Sequence, residues 1–252
     1  MKLLLLALSV MLLVAPAHAI TSAEDRAGIE PALQDVAPQI TASGAIVVDL
    51  DDGVELYGLN ADTPYPPAST VKILTGLVAR QIFEREEVIE IQESDFLDEE
   101  FSQAGFLPGD QVSVEDALHG LLIPSGADAA LALARIGGER LAPGTDDPVG
   151  RFVQEMNAVA ESLEMHDSSF GNPVGMDDPE TYASARDLVR AAVAVLADPL
   201  LSRIVAMPYA TIEVAGPNAR EIEMQNSNAF VVQNSAIGVK TGTEDEAGQC
   251  LI

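Results

Sequence analysis

Pro67-Ala68-Ser69-Thr70-Val71-Lys72 is the stretch on which the reading of this chain turns. Pro64, Pro66 and Pro67 close an extended region, and from Ser69 onward Leu74, Leu77, Val78 and Ile82 recur at helical spacing. A serine three residues before a lysine at a helix start puts both side chains on one face, a turn apart. If burial and a second cation lower its pKa, such a lysine can take the hydroxyl proton and turn a weak nucleophile into a reactive one. The backbone N–H of Ser69 would point out of the helix N-terminus, ready for an oxyanion. A serine here can equally be a plain helix cap, so the stretch alone leaves both readings open.

The distribution of lysine narrows the choice. The 252 residues hold only Lys2, Lys72 and Lys240, beside ten arginines and 40 acidic residues. Arginine keeps its proton in a protein, whereas a desolvated lysine can become a neutral base. Lys2 belongs to an N-terminal segment expected to be removed. The other two fall in Ser69-Thr70-Val71-Lys72 and in Lys240-Thr241-Gly242. On an edge strand, Lys240 and Thr241 can bind a carboxylate while Gly242 lets another backbone approach, and a peptide could lie alongside as an added strand. Together the two motifs point to acyl-transfer chemistry.

Other designs fit less well. His119, within Leu118-His119-Gly120-Leu121-Leu122, reads as a core or boundary residue, and no serine has a nucleophile-elbow context. Clustered zinc ligands and glycine-rich phosphate loops are absent from the sequence. The single cysteine, Cys250, precludes an internal disulfide and reads as a small buried residue.

Residues 1–19 combine an early cation, an apolar run from Leu3 to Val14 and the ending Ala17-His18-Ala19. That is the layout of a cleaved signal peptide, with an uncleaved membrane anchor as the alternative; the run is shorter than the ~20 residues a bilayer span needs. Export to the periplasm, the extracellular space or the cell envelope is therefore expected, with residues 20–252 as the catalytic domain. A net charge of −27 argues against nucleic acid and anionic membrane surfaces as partners. The acidic run Glu84 to Glu100 reads as a solvated face.

Along the chain, a first helix is expected from Ser22 to Ile40. A hairpin follows, with strands 45–49 and 54–57 around Asp51-Asp52-Gly53. Helices are expected over 114–122, 127–136, 149–163 and 183–196, and strands over 209–214, 220–224 and 237–241. The order predicts an α+β fold, an antiparallel sheet flanked by helices with a mostly helical insert over about 67–205. Ala247 to Ile252 reads as a turn and the start of a strand, so the chain is expected to be C-terminally truncated.

The ordered motifs resemble those of the serine D-Ala-D-Ala carboxypeptidases, the low-molecular-mass penicillin-binding proteins of the β-lactamase/transpeptidase-like fold. Ser69-x-x-Lys72 matches the first, Ser125-Gly126-Ala127 the second and Lys240-Thr241-Gly242 the third. The likeness extends to Phe170-Gly171-Asn172-Pro173-Val174-Gly175-Met176, Ala185-Arg186-Asp187-Leu188, Asn226-Ser227-Asn228 and Ala247-Gly248. It implies that Ser69 is acylated by the penultimate D-Ala of a peptidoglycan stem peptide, with Lys72 as base and Ser125 as proton relay. It also implies that Lys240 and Thr241 hold the terminal carboxylate, that the N–H groups of Ser69 and Thr243 form the oxyanion hole, and that β-lactam antibiotics acylate Ser69. No cofactor or metal is implied. Relatives carry C-terminal membrane-associating segments, which leaves peripheral membrane association open beyond this chain. The family sheet has five strands, so a chain ending at Ile252 is expected to lack the last strands and helix and to be poorly stable alone.

Two departures stand out. Ala127 replaces the usual Asn of the second motif, removing an amide worth about 1.5–3 kcal/mol where it bonds a charged group. Glu244 stands where a hydroxyl residue is frequent. The alternatives within the resemblance are a catalytically impaired binder of cell-wall peptides and penicillin, or a serine β-lactamase, for which a Glu-x-x-Leu-Asn deacylation pattern is missing.

Overall fold

The computed structural model describes residues 40–97 and 101–252. The expected signal peptide and, save for Ile40, the expected first helix lie outside the described residues. The chain divides into two compact units, Met1–Asn60 and Ala61–Ile252.

In the first unit, β1 (Ala45–Val48) and β2 (Glu55–Leu59) pair antiparallel with Ala45 opposite Leu59. The Asp-Gly turn forms as its chemistry requires. Gly53 takes φ +75°, its N–H bonds the Asp49 carbonyl at 2.9 Å, and Asp52 accepts the Val54 N–H at 3.0 Å.

The second unit opens with a 3-10 turn, Ala68–Val71, running directly into α1 (Lys72–Ile82). Then come β3 (Val88–Glu90), β4 (Gln111–Ser113), α2 (Val114–Leu122), α3 (Ala127–Leu141) and α4 (Pro148–Ser162). They are followed by α5 (Ala185–Ala197), α6 (Pro199–Val205), β5 (Tyr209–Val214), β6 (Arg220–Gln225), α7 (Ala229–Val232), β7 (Thr241–Glu244) and β8 (Gly248–Leu251). The strands pair as antiparallel ladders β3–β4, β5–β6 and β7–β8, and a bridge from Gln111 to Ala215 links β4 to the end of β5. This is the expected α+β class.

The helices share one apolar core, in which Leu74, Leu118, Leu121, Leu133, Phe152 and Met156 are buried. Aliphatic residues do most of the packing, as a chain without Trp must arrange. Gly137 and Gly138 permit a close helix crossing: a Cβ would stand 2.8 Å from the Phe152 ring at Gly137 and 1.6 Å from the Pro148 carbonyl oxygen at Gly138. Among the described residues no helix is long and apolar enough to cross a membrane.

Three local expectations are corrected, and one element is added. Helix α3 continues past Ile136 through Gly137 and Gly138 to Leu141 and ends at Ala142, the residue before Pro143, which disfavours helical backbone there. Residues 199–205, to which no element was assigned, form a short helix, with Pro199 at the first position and Asp198 accepting the N–H groups of Leu200 and Leu201 at 2.8 and 2.9 Å. The strand expected over 237–241 begins only at Thr241; Gly238 instead gives its carbonyl to the Asn228 side chain. The acidic run 84–100 is not uniformly solvated, since Asp95 is buried and accepts two N–H bonds, each 2.7 Å, from Arg135.

Candidate active site

The 3-10 turn that carries Ser69 is held by Thr70, whose hydroxyl and N–H both bond the Pro67 carbonyl, at 2.6 and 3.3 Å. Ala68 takes the left-handed φ of +49°, uncommon for a residue with a Cβ. Val71 and Ala68 are fully buried and Ser69 is half-buried, so its hydroxyl stands at the surface of the core rather than within it.

One turn on, Lys72 is buried, and its Nζ donates to Ser69 Oγ and to the Val174 carbonyl, each at 2.8 Å. Thr75, three residues further along α1, donates to the adjacent Pro173 carbonyl at 2.7 Å. The i, i+3 spacing thus sets two donors on successive carbonyls of a loop about a hundred residues away. That loop is shaped by Asn172, whose Oδ1 accepts the N–H groups of Val174, Gly175 and Met176 at 3.2, 2.8 and 3.0 Å. Gly175, at φ +85°, is obligatory, because a Cβ would overlap the Ala68 carbonyl at 1.9 Å. Asp187 in turn anchors the segment leading into the loop, accepting from Asp167 N and Ser168 Oγ at 2.8 Å each.

Ser125 sits in the short connection between α2 and α3. It is buried, takes a left-handed φ of +71°, and its Oγ lacks a hydrogen-bond partner within the protein. A strained backbone that presents an unsatisfied hydroxyl marks a position held for a ligand or a proton. Asp128, fully buried at the first turn of α3, braces this connection. Its carboxylate accepts from the N–H groups of Ala104, Phe106 and Ala129, at 2.8, 3.2 and 2.9 Å. The Ala127 N–H bonds the Ser102 carbonyl at 2.8 Å, so residues 102–106 are clasped to the second motif from both sides. Ala127 itself is a buried apolar side chain.

The third wall is β7. Lys240 is buried, with Nζ donating to the Thr241 carbonyl at 2.8 Å. Lys240 and Ile252 exchange backbone hydrogen bonds, so the antiparallel alternation turns the N–H and C=O groups of Thr241 and Thr243 away from β8, to the open edge. The same alternation places Lys240, Gly242 and Glu244 on one face of the strand. On that face Gly242 abuts the 3-10 turn: a Cβ would lie 2.8 Å from Ser69 N and 2.9 Å from Ala68 Cβ. Asn226, Ser227 and Asn228 join the second and third motifs. The Ser227 N–H bonds the Ile123 carbonyl at 2.9 Å, and its Oγ stands 2.7 Å from Thr241 Oγ1.

The two lysines define the electrostatics. Burial lowers the pKa of Lys72 to about 7, against the opposing pull of Glu244 and then Asp128. Lys240 is held well below its ordinary value by burial and then by the nearby charge of Lys72. Two ammonium groups cannot both be retained cheaply in so dry a site, and a neutral amine beside a hydroxyl is a base. Burial raises the Asp128 carboxyl, against its backbone donors.

The structure therefore joins Ser69 to Lys72, packs Gly242 against the turn that carries them, sets Lys240 near Lys72, and ties Thr241 through Ser227 to Ile123, two residues before Ser125. The sequence reading assigned no part to the Val174 carbonyl, Asn172, Asp128 or Ser227, although their segments were among those that carried the resemblance. Cys250 is half-buried rather than buried, and burial followed by Asp177 raises its thiol pKa, which keeps it protonated and unreactive.

The fold is that of a class of serine-type hydrolases. The model of the D-alanyl-D-alanine carboxypeptidase family matches residues 32–252, and the chain belongs to that family. The D-alanyl-D-alanine carboxypeptidase of Streptomyces sp. strain K15 is 32% identical over 236 residues, covering 89% of this chain and 80% of that protein. DacB2 of Mycobacterium tuberculosis is 31% identical over 229 residues, covering 90% and 74%. The D-alanyl-D-alanine endopeptidase of Pseudomonas aeruginosa is 30% identical over 220 residues, covering 85% and 67%. The crystal structure of the Streptomyces K15 DD-transpeptidase superposes with a TM-score of 0.78 at 31% identity, covering 85% of this chain and 84% of that one.

Proposed function

We propose that this protein is an exported serine D-Ala-D-Ala carboxypeptidase that trims the terminal D-Ala from peptidoglycan stem peptides through an acyl-enzyme on Ser69. The observation that carries this reading is the 2.8 Å contact between Lys72 Nζ and Ser69 Oγ beside a second buried lysine. With Lys72 neutral, the hydrogen bond reverses and the Ser69 hydroxyl gives its proton to Nζ as Oγ attacks the carbonyl carbon of the penultimate D-Ala. The oxyanion forms between the N–H groups of Ser69 and Thr243, which stand on either side of Gly242. As the C–N bond breaks, a proton reaches the leaving amine through Ser125, whose Oγ has no competing partner. Lys240 and the Thr241 hydroxyl hold the substrate's terminal carboxylate at the open edge of β7. Water then attacks the ester, returning the proton to Ser69 and releasing the shortened peptide.

β-Lactams place an activated amide and a carboxylate at the same two points, so they acylate Ser69 as the substrate does. An N-terminal export signal and action in the periplasm, the extracellular space or the cell envelope complete the reading. A second reading, an impaired binder of cell-wall peptides, rests on the apolar Ala127 side chain where the family usually has an amide. Intact mass after brief exposure to benzylpenicillin, beside Ser69→Ala, separates the two. A stable adduct on the native protein alone supports the carboxypeptidase. A folded protein that leaves the drug intact and unbound supports the impaired binder, and destruction of the drug without an adduct supports a β-lactamase.

A further inference from the structure

Among the described residues, three buried side-chain polar atoms lack a hydrogen-bond partner: Gln103 Oε1, Ser125 Oγ and Asp177 Oδ1. The first two stand on segments that are bonded to each other. The Ser102 carbonyl accepts the Ala127 N–H, and the Ala104 N–H donates to Asp128 Oδ1, each at 2.8 Å. Gln103 lies between those two bonds, so its backbone runs beside Ser125-Gly126-Ala127. A buried polar atom without a partner is a cost to the fold, and two on adjoining segments mark a place kept for the polar groups of a ligand.

The neighbours of Gln103 set the direction of its side chain. Ala104 and Phe106 are buried toward α2, where a Cβ on Gly120 would meet Ala104 Cβ at 2.8 Å and the Phe106 ring at 3.1 Å. Gly105 is exposed between them. This alternation, that of an extended chain, sends the Gln103 side chain to the face opposite α2. Its carboxamide oxygen is nonetheless shut off from solvent, so the side chain lies against protein instead of extending into water. The second motif offers this place no amide of its own, because the side chain of Ala127 is a buried methyl group. A carboxamide presents an acceptor and a donor side by side, and the N–H and C=O groups of a peptide complement both.

We propose that Gln103 is a substrate-binding residue whose carboxamide pairs with a backbone amide of the acyl segment, beside Ser125, and so holds that segment in place for attack by Ser69. This role rests on the carboxypeptidase reading above. Benzylpenicillin carries the same kind of amide in its acylamino side chain. In 6-aminopenicillanic acid a free amine replaces it, while the β-lactam ring and the carboxylate stay the same. Gln103 therefore tells the two drugs apart, whereas Ser69, Lys72 and Lys240 act on what they share.

The test measures second-order rate constants for acylation of the full chain by benzylpenicillin and by 6-aminopenicillanic acid, from the growth of the adduct in intact mass. Gln103→Met removes the carboxamide while nearly conserving volume. It is expected to lower the ratio of the benzylpenicillin constant to the 6-aminopenicillanic acid constant by about tenfold or more, as the loss of a hydrogen bond to the bound amide requires. A variant that merely disturbs the packing of residues 102–106 slows both drugs alike and leaves the ratio unchanged. Gln103→Ala serves as the second variant should Gln103→Met fail to fold. A smaller fall in the ratio, in a folded variant, overturns the role of Gln103 while leaving the carboxypeptidase reading intact. A folded native protein that forms no adduct with either drug sinks that reading, and the role of Gln103 with it.

Discussion

Gly242 and Ser69 lie so close that a Cβ on the glycine would stand 2.8 Å from the serine's backbone nitrogen. Two parts of the chain distant in sequence, a helix-opening turn and a strand, are thereby fitted backbone to backbone. The proposed nucleophile and the proposed substrate-binding edge are set by one contact. A methyl group on Gly242 would force the turn and the strand apart, since the atoms it meets are backbone atoms and Ala68 Cβ rather than the end of a flexible side chain.

Gly242→Ala should therefore push β7 away from the turn and pull the Thr243 N–H out of line with that of Ser69. Loss of one oxyanion donor costs about 10²–10³ in rate, and acylation by a fluorescent penicillin should slow by that order while circular dichroism keeps the native signal. Native-rate acylation in the variant would remove the Ser69–Thr243 oxyanion hole from the mechanism.

The pH dependence follows from Lys72, whose pKa is about 7 in the folded protein against an ordinary 10.5. Acylation should rise with pH through about 7 as the amine becomes neutral. Stability should rise as well. Below pH 7 both folded and unfolded chains hold the proton, and the full cost of a buried ammonium is present. Between 7 and 10.5 the unfolded chain binds the extra proton, so each step up in pH favours the fold. Melting temperatures of the native protein and Lys72→Met across that range should converge on the native side, the variant lacking this part of the slope.

Glu244 opposes the burial of Lys72 by favouring its charged form. Glu244→Gln should lower the lysine pKa further and move the acidic limb of the acylation profile to lower pH. Stopped-flow acylation from pH 5 to 8 reads the shift directly, and an unchanged limb would mean that another base sets it.

Asp128 ties residues 102–106 to the second motif through the Ala104 and Phe106 N–H groups, and also accepts the Ala129 N–H of its own helix. Asp128→Ala leaves those buried N–H groups unpaired and should cost about 3 kcal/mol or more, or roughly 6 °C or more in Tm for a chain of this size. Differential scanning calorimetry measures it. A loss below a degree would show that the loop finds other acceptors.

Much of this architecture was legible in order. Helix Val114–Leu122, strand Tyr209–Val214 and the hairpin at Asp52-Gly53 fall where apolar period and turn chemistry place them. Each is decided by neighbours a few residues away. The misplacements came where a distant partner overrides that local signal. The apolar stretch at Ile237 resembles a strand, yet the segment is held by Asn228 and by Ile252 instead. Asp95 belongs to a run of acids that looks solvated, and only Arg135, forty residues on, draws it inside.

The sequence by itself determined which residues could do the chemistry. The rarity of lysine singled out Lys72 and Lys240, and helical spacing alone places Lys72 a turn from Ser69. Only the tertiary structure decided what those residues became. Burial makes Lys72 a base near neutral pH, the Val174 carbonyl and Asn172 loop hold its amine against Ser69, and Gly242 brings the third motif to the first. Spacing along a chain is local and can be read in order, whereas desolvation and close backbone contact arise only when segments far apart in sequence meet.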